Sequence, residues 1–207
     1  MTTPFTHVLA IDTSAGTSVA RIDDERVRVA SEPNPRAHAE NLAPLITQVG
    51  GTEALDAIVV GVGPAPFTGL RVGIVTARVL ADALGLQLAG VSILDALARQ
   101  GFDELGEGPV TVVTDARRRE VYTASFDAAG DDDVRVVRPP EVISPADLVP
   151  AGTLVGAVHL LADSEAPALP LELDVTTYVR LARSRTAAGI AMDTEPQYLR
   201  EPDIHRG

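Results

Sequence analysis

The residues best suited to chemistry follow a short apolar strand near the start of the chain. Asp12, Thr13 and Ser14 come directly after the apolar run 8–11, and Gly16 stands two residues further on. A carboxylate can hold hydrated Mg²⁺, while hydroxyls and backbone N–H groups of a tight turn can bind phosphate. The same residues also suit a plain hairpin, in which Asp and Thr side chains bond to the turn's own backbone. The motif leaves both a phosphate site and a structural turn open.

A second aspartate ends another apolar strand. Asp115 closes the run 109–115 and is followed by three arginines at 117–119. Asp12 and Asp115 together would suit a small ATP-dependent phosphotransferase, although the chain has no lysine and so no P-loop lysine. The arginines can hold a phosphate, meet a partner's carboxylates or form a solvated turn.

The histidines give little support to a metal site. His7, His38, His159 and His205 include no pair three or four residues apart, and the chain has no cysteine. A metallopeptidase is therefore a poor alternative, and we expect His38 to be a capping or packing residue.

The composition restricts the classes of protein to which this chain can belong. The 207 residues suffice for one domain or two small lobes. A formal net charge of −12 argues against independent binding of nucleic acid, because neutralisation of phosphates dominates that affinity. The start of the chain does not resemble a signal peptide, and no apolar run is long enough to span a bilayer. We expect a cytoplasmic protein with no membrane partner.

The elements that must position these residues form a repeat. Three strands, a helix, a strand, a helix, a strand and a helix are predicted in the first half, and 109–137 again reads as a strand ending in aspartate followed by a hairpin. The pattern predicts a duplicated α/β lobe. The segment 102–108, rich in glycine and acidic residues, is the natural boundary.

The segment 61–85 carries the most specific pattern. An apolar strand enters a glycine–proline loop, and the helix that follows has a small residue at every fourth position, namely Gly69, Gly73, Ala77, Ala81 and Gly85. Glycine inside a helix costs about 1 kcal/mol relative to alanine, so a close approach of another backbone is expected there. That backbone can belong to the chain's own sheet or to a partner.

Taken together, these motifs resemble the TsaB (YeaZ) family of bacterial tRNA threonylcarbamoyladenosine biosynthesis proteins. The matching pieces span almost the whole chain in the family's order, and the core 67–73 is highly specific. They are 9–14, 36–42 with Pro44, 61–85, 115–118 with 120–122, and 198–203.

The resemblance implies a two-lobed α/β fold of the sugar kinase–actin–chaperone (ribonuclease H-like) superfamily with a reduced second lobe. It implies a first lobe at 1–103 with partner-binding helices, a reduced second lobe at 104–173, and a C-terminal helix and tail at 174–207, the helix packing back on the first lobe.

The family resemblance also implies a function. Members are non-catalytic partners of a TsaD-type paralogue, which transfers a threonylcarbamoyl group to the adenosine beside the tRNA anticodon, and a TsaE-type ATPase joins the assembly. A homodimer is expected when the chain is alone, with tRNA bound only through the complex. No cofactor is expected to bind stably, although ATP or ADP with Mg²⁺ at the assembly interface stays open.

The resemblance assigns roles to particular residues. No residue is expected to be catalytic and none to bind a metal. Asp12, Thr13 and Ser14 become a vestigial or shared nucleotide-phosphate site. The small residues of the long helix become a partner interface with apolar side chains of the preceding helix, the full set being Ala39, Leu42, Ile46, Val49, Gly69, Gly73, Ala77 and Ala81.

Two departures from the family pattern bear on nucleotide binding. Ala65-Pro66 replaces the usual Gly-Ser, which stiffens the loop, and Gly156 stands alone where nucleotide-binding relatives have a glycine pair. Independent ATP hydrolysis is therefore not expected.

Overall fold

The computed structural model describes residues 5–24, 26–34, 37–161 and 164–200. Within these ranges the chain builds two five-stranded mixed sheets. Arg36 and residues 201–203, which belong to the motifs described above, lie outside the described residues.

The first sheet is built from strands whose apolar runs are buried on both faces at its centre. Its order is β3-β2-β1-β4-β5, where β1 pairs antiparallel with β2 and parallel with β4. The elements of this part are β1 (His7–Asp12), β2 (Thr17–Asp23), β3 (Arg26–Glu32), α1 (His38–Gln48), β4 (Ala57–Gly61), α2 (Phe67–Leu84) and β5 (Gln87–Val91).

The second sheet repeats the arrangement of the first. Its order is β8-β7-β6-β9-β10, with antiparallel pairs on the hairpin side of β6 and parallel pairs on the other. The strands are β6 (Val110–Asp115), β7 (Val121–Ala129), β8 (Asp133–Ile143), β9 (Thr153–Gly156) and β10 (Ala168–Pro170). The predicted repeat is therefore present, and Asp12 and Asp115 end equivalent strands.

The second sheet carries much less helix than the first. Short 3-10 helices, Pro145–Asp147 and Val158–Leu161, stand where α1 and α2 stand in the first lobe. Because β9 and β10 have only four and three residues, little sheet surface needs covering on that side. The prediction of a reduced second lobe is confirmed.

Two further helices join the lobes. Helix α3 (Ile93–Leu105) begins at Ser92, whose hydroxyl accepts a hydrogen bond from the N–H of Leu94, as an N-cap should. Its apolar side packs on β6, β7, β8 and β9 of the second sheet. The sequence-based boundary at 103 placed α3 in the first lobe. The packing of α3 instead assigns this helix to the second lobe.

The first sheet is covered on both faces. Helices α1 and α2 cover the face that carries Leu9, Ile11 and Val19. Helix α4 (Thr176–Ala187) covers the opposite face, which carries Val8 and Ala10. The C-terminal helix therefore completes the core of the first lobe.

Residues 190–200 form a strap that crosses back over the first lobe. The N–H of Gly90 donates to the carbonyl of Met192, and the N–H of Gln197 donates to the carbonyl of Val62. Arg78 of α2 holds the strap through the carbonyl of Thr194 and the carboxylate of Glu195. In the described ranges no helix is long and apolar enough to cross a membrane.

Candidate functional site

A cleft of about 540 Å³ lies between the two lobes. The ends of β1 and β6 line it, so that Asp12 and Asp115 both border the same space. The stiff loop at Pro64, Ala65 and Pro66 forms part of its wall. The volume falls in the range of small-ligand pockets. Both duplicated strand ends therefore border one cleft.

Asp12 is buried and accepts hydrogen bonds from the chain itself. Its Oδ1 accepts from the N–H of Ser14 at 2.9 Å, and its Oδ2 accepts from the Ser14 hydroxyl and the Tyr178 hydroxyl at 2.8 Å each. Gly61 makes room for this arrangement, because a Cβ there would lie 2.7 Å from the Tyr178 oxygen. Three donors from three groups thus hold the carboxylate in place.

Burial sets the protonation of this pair. It raises the pKa of Asp12 above the ordinary aspartate value, although the hydrogen bonds from Ser14 and Tyr178 favour the charged form. Burial and the neighbouring carboxylate raise the pKa of Tyr178 well above that of a free tyrosine. Tyr178 therefore stays a neutral donor to Asp12 at physiological pH.

The three predicted phosphate residues are placed differently. Asp12 accepts three hydrogen bonds, of which Oδ1 receives only the one from the Ser14 N–H. Since each carboxylate oxygen can accept two hydrogen bonds, Oδ1 keeps one acceptor position. Thr13 does not border the cleft. Its buried hydroxyl lies against Gly73 and has no hydrogen-bond partner in the described part of the chain. Of the three predicted phosphate residues, only Asp12 and Ser14 line the cleft.

Asp115 is also engaged locally. Its Oδ1 accepts from the N–H of Arg117 at 2.6 Å, and its Oδ2 accepts from the Arg117 guanidinium at 2.9 Å. Unlike Asp12, this carboxylate is exposed. It caps the turn between β6 and β7, a role that the sequence left unassigned. Among the described residues no cluster of three or more His, Asp or Glu side chains could hold a metal ion.

The small residues of α2 face the chain's own core, which corrects the predicted interface. A Cβ on Gly69 would lie 2.7 Å from Nε2 of His38 and 2.8 Å from the carbonyl oxygen of Thr13, and a Cβ on Gly73 would overlap the Thr13 hydroxyl. Ala77 and Ala81 are buried in the same core. The glycines let α2 approach the end of β1.

The predicted contacts on α1 are corrected in the same way. Leu42, Ile46 and Val49 are buried beneath the helix, because its apolar side packs on β2 and β3. Only Ala39 of that set is exposed, together with its neighbour Ala43. His38 starts the helix with Nδ1 3.0 Å from the Thr17 hydroxyl, which confirms its expected packing role. Burial lowers the pKa of His38.

A different face of α2 carries no charge and is exposed at Thr68, Val75, Val79 and Ala83, whereas Val72 and Thr76 are half-buried. We call it the α2 stripe, and its residues recur at helical spacing: Thr68, Val72, Val75, Thr76, Val79 and Ala83. Val75 and Val79 are 56% and 60% exposed. Valine at such exposure is not explained by the chain's own packing, since contiguous exposed apolar surface marks interaction sites. The signal was present in the sequence, as apolar residues spread around much of the helix.

An aromatic cluster lies at the first turn of α2, where the strap meets it. The Arg71 guanidinium lies 3.7 Å from the centre of the Phe67 ring and donates through Nε to the Tyr198 hydroxyl at 2.9 Å. The two rings are 4.9 Å apart. Two residues further on, Arg200 donates to the carbonyl of Ala116 at 3.1 Å. The strap therefore links α2 to the β6–β7 turn of the second lobe.

Comparison with known proteins adds the family. Residues 29–194 match the family described as TsaD, tRNA N6-adenosine threonylcarbamoyltransferase. An uncharacterized protein of Mycobacterium tuberculosis is 40% identical over 202 residues, covering 80% of this chain and 90% of that protein. The tRNA threonylcarbamoyladenosine biosynthesis protein TsaB of Escherichia coli is 36% identical over 126 residues, covering 58% of this chain and 54% of that protein.

A solved structure extends the match to the whole fold. YeaZ from Pseudomonas aeruginosa superposes with a TM-score of 0.80 at 30% identity, covering 94% of this chain and all of that one. The similarity includes both sheets, so the predicted α/β class is confirmed. With sequence and fold in agreement, the chain belongs to the TsaB (YeaZ) family.

Proposed function

We propose that this chain is a non-catalytic subunit in the biosynthesis of tRNA threonylcarbamoyladenosine. It pairs with a TsaD-type catalytic paralogue and supports transfer of the threonylcarbamoyl group to the adenosine beside the anticodon. The observation that carries the proposal is the α2 stripe, an exposed uncharged helix face on a chain whose named relatives are biosynthesis proteins of this modification.

The hydrogen bonding in the cleft favours an accessory role for this chain rather than a catalytic one. Both oxygens of Asp12 accept hydrogen bonds from the chain itself, and Asp115 is held by Arg117. Each carboxylate therefore has a structural role within the chain. A subunit of this kind acts by presenting a surface to its enzyme.

The proposed surface combines the α2 stripe with the exposed side of α1. The two helices pack against each other, and Ala39 and Ala43 are exposed small residues on α1. Small and β-branched side chains allow a partner's helices to approach closely while burying apolar area, which stabilises a helical interface. Charged residues flank the stripe at Arg71, Arg78 and Asp82 and supply a polar rim.

The rest of the proposed assembly is what the family resemblance implies. The same helices pair two copies of the chain when no enzyme is present, so homodimer and heterodimer compete. A TsaE-type ATPase joins the complex, tRNA binds through the complex, and any ATP or ADP with Mg²⁺ binds where subunits meet. The assembly works in the cytoplasm.

Light scattering on size-exclusion fractions tests the proposal. The chain is mixed with the TsaD-type protein of its own organism, and we expect a heterodimer peak. Val75→Arg together with Val79→Arg should abolish it, since each arginine puts a charge into an apolar contact.

A matched control separates docking from folding. Val27 is 50% exposed on β3, and it points away from the face that α1 and α2 cover, because Ala30 is part of their core. Val27→Arg should leave the heterodimer intact. If the stripe variant keeps its melting temperature and still forms the heterodimer, the α2 stripe is not the interface. If the unaltered chain forms none, the pairing itself is wrong.

A further inference from the structure

A row of hydroxyl groups lies on one face of the second sheet. Thr123 and Ser125 are two positions apart on β7, and Thr111 of β6 pairs with Ser125, so the three side chains point to the same side. The hydroxyls of Thr111 and Ser125 lie 2.9 Å apart, and that of Thr111 also accepts from the N–H of Ala151. Thr123 is only 2% exposed, and its hydroxyl has no hydrogen-bond partner in the described part of the chain. Because buried polar groups are normally paired, a group from outside the chain is expected to meet this hydroxyl.

A β-bulge beside these hydroxyls brings opposite charges to the same side of the sheet. Arg138 of β8 lies opposite Ser125. Glu141 lies opposite Thr123, so three steps along β8 match two steps along β7. Residues three apart on a regular strand point to opposite faces, whereas one extra residue lets Arg138 and Glu141 share a face. The residues between them, 139 and 140, are prolines, which donate no hydrogen bond to the ladder.

The hydroxyls and the charges line one pocket of about 100 Å³, which we call the bulge pocket. Thr123 and Ser125 form its buried floor. The exposed residues Arg138, Glu141 and Asp147 form its mouth. The volume is well above the roughly 10–15 Å³ that one water needs and below the roughly 300 Å³ at which drug-sized sites begin. The bulge pocket therefore has room for a molecule of a few heavy atoms.

The charged groups at the mouth are not paired with each other. Neither Glu141 nor Asp147 forms an ion pair with Arg138 or with any other residue in the described ranges. Arg138 donates through Nη1 to the carbonyl of Val149 at 2.5 Å, and its other N–H groups have no partner in the described part of the chain. The mouth therefore presents one cation and two carboxylates to a ligand, above a floor with a free hydroxyl.

We propose that the bulge pocket binds a small α-amino acid in its zwitterionic form. The carboxylate of the ligand pairs with Arg138, because a planar guanidinium donates two parallel hydrogen bonds to a carboxylate. The ammonium group has three N–H donors, which match the carboxylates of Glu141 and Asp147 and the hydroxyl of Thr123. A ligand with a single charge leaves the opposite charge of the mouth unpaired, and the volume excludes a large side chain.

Amide NMR spectra of the full, isotope-labelled chain test the inference. Glycine, L-alanine, L-serine and L-threonine are the probes, and we expect at least one of them to shift the signals of Thr123, Ser125, Arg138 and Glu141 saturably. The methyl ester and the N-acetyl derivative of that amino acid should each bind at least about tenfold more weakly, since each lacks one of the two charges.

Variants of two buried threonines separate binding from folding. Thr123→Val should weaken binding of the amino acid at least about tenfold. The melting temperature should stay the same or rise, because an apolar group replaces an unpartnered hydroxyl. Thr114→Val is the matched control, since that hydroxyl is also buried without a partner in the described ranges but its residue borders the cleft between the lobes. It should leave binding unchanged.

A third variant tests the role of the guanidinium. Arg138→Gln should weaken binding of the amino acid more than binding of its methyl ester, which has no carboxylate to pair. The inference is overturned if none of the four amino acids gives a saturable shift, since the bulge pocket then holds water. Equal weakening by Thr123→Val and Thr114→Val overturns it too, because the amino acid then binds elsewhere. An N-acetyl derivative that binds as tightly as the free amino acid also contradicts it, since the ligand is then an anion.

Discussion

The hydroxyl of Tyr178 donates a 2.8 Å hydrogen bond to the carboxylate of Asp12, which lies 166 positions earlier in the chain. The contact ties α4 to the carboxyl end of β1, at the strand end where the duplicated lobes face each other. Because both groups are buried, the bond is made where water cannot replace it. The strand end whose residue types suit a phosphate site also fixes the C-terminal helix.

Removal of that donor should destabilise the fold. Tyr178→Phe leaves an oxygen of buried Asp12 with one donor fewer, and we expect a loss of about 1–3 kcal/mol in the free energy of unfolding. Urea denaturation followed by circular dichroism measures it. Tyr198→Phe is the control, because that hydroxyl bonds Arg71 at the surface. Equal, small effects in both variants would show that the buried bond contributes little.

The contact between α2 and β1 predicts an unusual response to alanine. At an unconstrained helix position Gly→Ala stabilises by about 1 kcal/mol. Gly73→Ala should instead destabilise by about 1–3 kcal/mol, because the new methyl group overlaps the Thr13 side chain. A double-mutant cycle with Thr13→Ala checks the cause. The second substitution should recover much of the loss, and simple additivity would contradict the proposed overlap.

The ion pairs beneath α4 should respond strongly to truncation. Arg185 contacts Asp95 at 2.8 Å and Asp133 at 2.9 Å, and all three side chains are largely buried. Arg185→Met leaves two buried carboxylates without their cation, so we expect a loss of about 3–5 kcal/mol by thermal and urea denaturation. The exposed Arg135 beside Asp127 is the comparison, and Arg135→Ala should cost less than about 1 kcal/mol.

Acidification should weaken the fold through His38. Burial lowers the pKa of His38 in the folded chain below its ordinary value of 6.5, so the unfolded chain binds more protons between the two pKa values. The contribution of neutral His38 to the free energy of unfolding is completely present above about pH 6.5. As the pH falls from there toward the folded pKa, this contribution decreases by at most about 1.4 kcal/mol per pH unit.

Comparison with His38→Gln isolates this effect. The raised pKa of Asp12 acts with the opposite sign, since stability from that group falls as the pH rises above 3.8, but Asp12 is present in both proteins. The melting temperature of the unaltered chain should therefore drop more between pH 7.5 and 5.5 than that of the variant. If the melting temperatures of the two proteins change in parallel with pH, His38 is not the cause of the pH dependence.

The sequence predicts the fold well because its signals are local. The strands of both hairpins, the positions of α1 to α4 and the repeat around Asp12 and Asp115 follow from apolar runs, turn residues and caps. Each of these signals depends on neighbours within a few residues.

Local sequence signals do not determine which face of α2 meets solvent. The sequence shows both a small-residue row and apolar residues around much of the helix, and either can face a partner. The decision depends on what lies opposite the glycines, namely Thr13 and His38, whose positions are set by β1 and the start of α1. The role of Tyr178 was hidden for the same reason, since no local pattern relates it to Asp12.

The placement of α4 has a consequence for how the protein is made. Tyr178, Val179 and Leu181 complete the core of a sheet whose last strand, β5, ends at Val91. During synthesis the first lobe therefore emerges from the ribosome with one face of its sheet uncovered. That face stays uncovered until the whole second lobe and then α4 have been translated. The two sequence repeats therefore do not correspond to two lobes that fold independently, because the first lobe needs α4, which follows the whole second lobe in the chain.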